Sequence, residues 1–484
     1  MISDRHDNTT TTYDHVLWLG LMALVALAPL PLGSNRPLPA ALAALAAGLL
    51  LSLWALKSLR GTPLSVSPAR LRWPLILFAA TCGWIIIQYL PLGLGDPIWS
   101  IAAQAIGEPL ATRITVNPQA TLTGLLHLVA YAAVFWLSLQ LSRQPEMALR
   151  GLKALTLIGG IYALYGLIIY FSGNDTLLIY ERWAYQGSLT SSFVNRNSYA
   201  TFAGLCLLPT TLLLLTNIRQ TLSLNWSLKR RLARLIEQLV LDYGWQTACF
   251  LLSLIALMLT GSRAGIASSA VGFLLFCAFF LREKSISARH LLVMALGLAL
   301  IGALAWLLGA QTLKQRYQTD TIEMSGTIRH EMNLIGATAI RSAPLTGTGY
   351  GTYPDIITAY RTDAISPLTK IDKAHNVYLE NAIELGLPAA LCLNMAIALL
   401  AYGCLKGAFT RRRNWAMPAL GVAATALVAL HSLVDFSLQI PAVSLLYAFI
   451  MGLAFSQSWS SAARRANDSP PQRGLISPSA TRSR

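Results

Sequence analysis

In the stretch DKAHNVYLENAIELGLP (372–388), a histidine, an asparagine and two glutamates stand directly before a long apolar run. Asn376, Glu380 and Glu384 recur at i, i+4 and i+8, so they share one face of a helix that begins beside His375. Two carboxylates on one stripe are too costly to face hydrocarbon. The spacing therefore turns them toward the protein interior or a water-filled cavity. At a helix start the backbone dipole disfavours imidazolium, which keeps His375 neutral and able to accept a proton from a hydroxyl. The plainer reading is a polar anchor at a membrane interface. The arginines and carboxylates nearby favour the base.

Arginines supply a second half of such a reaction. Arg263, in LTGSRAGIAS (259–268), falls between two apolar runs with almost no loop, on the side where a topology-setting arginine is not wanted. Arg196, in SSFVNRNSYA (191–200), lies at a helix start between Asn195 and Asn197. It reads equally as an anion ligand at free backbone N–H groups or as a snorkelling side chain on a capped helix. Arg329 lies in TIRHEMNLIGATAIRSAPLTGTGYGTY (327–353), where Ile328, Met332, Ile335 and Ala339 form an amphipathic helical stripe. Its neighbour His330 is a rival base. The glycines that follow suit tight turns, and their amides are a weaker candidate for holding a phosphate. Guanidinium groups match a diphosphate, a neutral histidine suits deprotonation of a hydroxyl, and arginine charge would stabilise the leaving group. The chemistry is transfer of a group from a lipid diphosphate to an alcohol, outside the cytoplasm.

Apolar runs must position these residues. The 484-residue chain is 55% hydrophobic and 12% charged, with mean hydropathy +0.53, whereas soluble chains carry roughly 25% charge. Runs long enough to cross a ~30 Å hydrocarbon core fall at 15–33, 38–57, 73–93, 120–141, 149–172, 198–217, 244–261, 264–282, 290–309, 376–402, 415–434 and 442–460. An all-α polytopic membrane protein is expected. The first run lacks a small-residue cleavage site and reads as a retained span. The run 376–402 reads as one span or, alternatively, as a short surface helix followed by a span starting near Pro388, because a proline inside a helix kinks or interrupts it.

With the N-terminus in the cytoplasm, 25 of the 37 Lys and Arg residues fall in cytoplasmic segments. Seven of the remaining 12 lie in the long loop 310–375. This distribution follows the positive-inside rule. It makes KRRLAR (229–234) and TRRR (410–413) topology anchors rather than a nucleic-acid surface. The organisation is nine spans over 1–309, a periplasmic loop over 310–375 bearing the amphipathic helix, three spans over 376–460 and a disordered cytoplasmic tail over 461–484. The six cysteines lie within or beside apolar runs without metal spacing, and no nucleotide or cofactor motif is present. Neither a metal nor a cofactor is expected.

Several of these stretches resemble the bacterial O-antigen ligase and O-antigen or exopolysaccharide polymerase superfamily. The resemblance is carried by SRAG, RHEMNLIGATAI, PLTGTGYGTY and AHNVYLENAIELGLP over 255–400, together with FVNRNSYA and LVDFSLQIPA (433–442). It implies a GT-C-like bundle of about 12 transmembrane helices with a large periplasmic loop, in the bacterial inner membrane. It also implies metal-independent, inverting transfer of glycan from an undecaprenyl-diphosphate-linked oligosaccharide donor to an acceptor sugar hydroxyl. Polysaccharide-assembly proteins would be partners. The essential histidine of the family maps onto His375, and its arginines onto Arg263 and Arg329. The RxxxN pattern at Arg329 departs from the family's usual one and leaves Arg341 as a substitute. Asn376 and Glu380 join Arg196 as substrate-side candidates. FVNRNSYA and DFSLQIPA tilt the expectation toward a polymerase over a ligase. A transporter of lipid-linked glycans would want the arginines but no base.

Overall fold

The computed structural model describes residues 2–95, 97–223, 226–281, 326–361 and 371–460, with backbone alone at 2–11, 220, 222–223, 228 and 326–330. The described residues are mostly helical. In order the helices are α1 (Ile2–Leu27), α2 (Pro37–Leu59), α3 (Arg72–Tyr89), α4 (Ile98–Ile106), α5 (Pro118–Leu141), α6 (Pro145–Phe171), α7 (Arg196–Ser223), α8 (Leu228–Glu237), α9 (Gly244–Leu259) and α10 (Arg263–Phe280). They continue as α11 (Gly326–Ser342), α12 (Tyr353–Ala359), α13 (Val377–Thr410), α14 (Ala416–His431) and α15 (Pro441–Ser456). A two-stranded hairpin, Thr176–Leu177 with Tyr180–Glu181, joins α6 to α7.

Among the described residues seven helices are long and apolar enough to cross a membrane, or eight if the pair Lys229–Asp242 and Gly244–Leu259, bent by 92°, forms one span. Three further apolar helices are shorter, at Thr12–Leu27, Ala416–His431 and Pro441–Ser456. Each expected run that falls on described residues overlaps a helix. The run 290–309 and two parts of the loop 310–375, residues 310–325 and 362–370, lie outside them.

Helices solve the problem of backbone polarity in lipid, because every N–H finds its carbonyl within the segment. Burial then sorts them into layers. Every residue of α15 is buried, as expected of a helix apolar on all sides, and it packs against α5, α7 and α14 at the centre of the bundle. By contrast α2 lies at the periphery, with Leu38, Leu42, Leu45, Leu49 and Leu56 more than half exposed along one face. That face offers hydrocarbon a surface of its own kind.

One long helix carries a break close to the one offered by the alternative reading of 376–402. In α13, Gly386 adopts φ 75°, ψ 160°, a conformation open essentially to glycine alone. A Cβ there would lie 2.4 Å from the Leu345 carbonyl oxygen, and one at Gly347 would lie 2.3 Å from that of Glu384. The broken turn and the loop 343–352 are therefore laced together: Leu387 N–H donates to Pro344 O (2.8 Å), Thr348 N–H to Ile383 O (3.1 Å) and Gly349 N–H to Glu384 O (3.0 Å). The amides of Thr348 and Gly349 are spent on this turn, so the glycine loop serves as a strut and not as a phosphate cradle.

Candidate functional site

His375 is pinned from both sides. Asn376 caps α13, its side-chain oxygen accepting Tyr378 N–H and Leu379 N–H, each at 3.1 Å. Glu380, buried beneath the loop, accepts Ala374 N–H at 2.7 Å and has Lys373 Nζ at 3.8 Å. On the other side Val377 N–H donates to Ser432 O at 2.9 Å. Between these anchors His375 is held at φ 52°, a left-handed conformation costly for a residue with a Cβ. The shared face of Asn376, Glu380 and Glu384 does turn inward as its spacing requires. All three accept backbone N–H groups there: Glu384 accepts that of Tyr353 at 2.9 Å. Asn376 and Glu380, expected beside the substrate, act on the chain around His375.

The imidazole stands edge-on to Phe436, ring centroids 4.8 Å apart, and presents Nδ1 to Asp435 Oδ1 at 3.8 Å. That separation is long for a hydrogen bond and short enough for charge to matter. Asp435 is wholly buried. One of its oxygens accepts Asn197 Nδ2–H at 3.1 Å, and the other accepts the Ser437 hydroxyl. Asn197 in turn accepts the Ser262 hydroxyl at 2.7 Å. The Thr201 hydroxyl lies 2.9 Å from that of Ser437 and 2.6 Å from His431 Nδ1. Burial alone would raise the Asp435 carboxyl. The neighbouring His375 ring, the charge of His431 and the Ser437 hydroxyl outweigh it and hold the group below the ordinary carboxylate range. The expectation that the helix dipole governs His375 is thus incomplete, because a buried carboxylate also faces its ring.

This network joins the motifs that were far apart in sequence. Ser262 caps α10, accepting Gly265 N–H at 3.2 Å, and Arg263 is the next residue. Arg263 is exposed and makes no hydrogen bond or ion pair among the described residues. Arg196 begins α7, one residue before Asn197. Its guanidinium donates to the Ser188 hydroxyl at 3.1 Å and lies over Tyr185 at 5.6 Å. It also borders the TGSRAG turn, since a Cβ at Gly261 would lie 3.8 Å from its Nη1.

The amphipathic helix α11 packs on α13 through Gly336 and Leu379. Its stripe is buried at Met332, Ile335 and Ala339 against Tyr353, Ile356 and Ile383. The side chains of Ile328, Arg329 and His330 lie outside the described residues. Arg341 is exposed in the last turn of α11, where a cation complements the helix dipole. No described contact links it to His375.

Asp435, Asn197, Thr201 and His431 escaped the reading of residue spacing. The available signal was Asp435 itself, a lone acid between two apolar runs, where a charge is expensive enough to need a purpose. The fold and this site define a helical membrane protein in which polar residues from four separate segments converge on one histidine. Residues 248–394 match the model of the O-antigen ligase family, so the chain carries a domain of the O-antigen ligase and polymerase superfamily. The matched stretch includes Arg263, Arg329, Arg341 and His375 and stops short of Asp435. No curated protein matches the chain.

Proposed function

We propose that this protein transfers glycan from an undecaprenyl-diphosphate-linked donor to an acceptor sugar hydroxyl on the periplasmic face of the inner membrane, polymerising O-antigen or exopolysaccharide repeat units. The observation that carries the reading is the pairing of His375 Nδ1 with buried Asp435, on a network that ends beside Arg263 and Arg196. With its carboxylate 3.8 Å from Nδ1, Asp435 favours the tautomer that carries the proton on Nδ1, leaving Nε2 as the base, and offsets the positive charge that an accepted proton brings. Nε2 takes the proton of the acceptor hydroxyl as its oxygen attacks the anomeric carbon from the side opposite the diphosphate. The bond from that carbon to the diphosphate oxygen breaks, and the configuration inverts. Arg263, Arg196 and either Arg329 or Arg341 hold the departing diphosphate, supplying in this scheme the charge that a metal would otherwise bring.

Both termini would lie in the cytoplasm. Asn197 and Asp435, which link the site, come from the two segments that resemble polymerases, and this favours chain growth on a second lipid-linked repeat. Ligation to lipid A–core is the second reading, favoured by the description of the matching family. Purified protein given lipid-linked donor should release undecaprenyl diphosphate, which a transporter would not do. A product still attached to lipid diphosphate indicates polymerisation, and one attached to lipid A–core indicates ligation.

A further inference from the structure

A second concavity lies at the other end of α13. From Leu387 to Thr410, at 1.5 Å per residue, the helix runs about 35 Å away from the His375 end. There a cavity of about 960 Å³ is lined by Arg70, Lys406, Arg411, Arg412, Arg413 and Trp459, among others, and by no carboxylate among the described residues. Its frame is built from the end of α15. Arg411 Nη1 donates to the carbonyls of Gln457 (2.5 Å) and Trp459 (2.7 Å), and Arg143 to those of Ser456 (2.6 Å) and Trp459 (3.1 Å). The Trp459 ring is flanked by the guanidinium groups of Arg70 at 4.6 Å and Arg143 at 4.8 Å.

Arg143 and Arg411 thereby stop the orphan carbonyls of a helix end. Lys406, Arg412 and Arg413 do none of this. They are exposed, and their side chains make no hydrogen bond or ion pair among the described residues. Topology needs positive residues near this membrane face, but it does not need them gathered around one hollow. Like charges collected in a concavity raise its potential and draw in an anion. Guanidinium forks and an ammonium together match the oxygens of a phosphate. The hollow also opens where two apolar helices, α13 and α15, end.

We propose that this cavity binds the phosphate of an anionic phospholipid headgroup, at a site separate from His375 and independent of the transfer reaction. The test uses the full-length protein in nanodiscs of phosphatidylcholine with or without phosphatidylglycerol. Retained lipid is read by native mass spectrometry and stability by thermal unfolding. The wild type should retain phosphatidylglycerol and be stabilised by it. The triple variant Lys406→Ala, Arg412→Ala, Arg413→Ala should bind it about a hundredfold more weakly, at roughly 1 kcal/mol per basic residue near an anionic headgroup. A control with Lys229→Ala, Arg230→Ala and Arg234→Ala removes equal charge from α8 and should retain the lipid. Equal loss in both variants, or no preference for phosphatidylglycerol in the wild type, would overturn the proposal. Full stabilisation by inorganic phosphate or pyrophosphate in neutral discs would overturn the lipid assignment in favour of a soluble phosphate ligand.

Discussion

Replacing Asp435 with asparagine tests the site at its least exposed member. The change is nearly isosteric, and the carbonyl of the new amide can keep the Asn197 hydrogen bond now made at 3.1 Å. Its NH₂ then faces Ser437, whose hydroxyl can accept instead of donating. Two bonds to an ion become two neutral ones, at a cost on the order of 1 kcal/mol, so folding should survive. The ring of His375 meanwhile loses the carboxylate that stands 3.8 Å from Nδ1. No carboxylate beside Nδ1 then offsets the charge of an accepted proton or favours that tautomer. General-base assistance is typically worth about 10²–10⁴ in rate, and most of that factor should go. The assay is release of undecaprenyl diphosphate by purified protein, with donor binding measured separately. A fall in kcat with donor affinity unchanged is expected. The double variant Asp435→Asn, His375→Ala should be no slower than His375→Ala alone, since the two act as a unit. Wild-type turnover in Asp435→Asn, or equal loss of donor binding, would refute the pairing.

Arg263→Lys should transfer poorly, because an ammonium replaces the planar fork with a point charge; turnover equal to wild type would reduce this exposed arginine to an anchor. Gly386→Ala should destabilise the protein by about 1–3 kcal/mol, from its special backbone conformation plus the contact with Leu345 O, and unchanged thermal unfolding would contradict the laced turn. Because the Asp435 carboxyl is held below its ordinary value, its contribution to stability is full above the usual carboxylate pKa near 4. It should be lost as pH falls through the lower folded value. Unfolding midpoints in acid should therefore drop less steeply in Asp435→Asn than in the wild type.

Much of the scaffold was legible because hydrocarbon imposes length and composition on anything that crosses it. The run 376–402 could be read directly, with an interruption near Pro388 as one of its two readings, as could the stripe Met332, Ile335 and Ala339. What faces each helix could not. An all-apolar run such as 442–460 suits lipid and a protein centre equally, and only packing shows that α15 takes the second place. The same ambiguity affected the polar residues. Spacing put Glu380 and Glu384 on one inward face, but whether that face meets substrate or backbone depends on the loops 343–352 and 372–374 folding over it. Asp435 lies sixty positions beyond His375 and carries no periodic signal of its own. Its meaning arises when the turn after α14 is brought against the start of α13, an event of tertiary structure.

The central claim is that His375 takes the acceptor's proton while other residues hold the donor. It is tested most directly by comparing His375→Ala and His330→Ala in one experiment, with purified protein, lipid-linked donor and acceptor, reading glycan transfer and donor retention together. The account predicts that His375→Ala retains donor and loses transfer by about 10²–10⁴-fold, while His330→Ala stays close to wild type. Normal transfer by His375→Ala with a dead His330→Ala would place the base on α11. Normal transfer by both would leave the arginines to explain the catalysis and contradict the account.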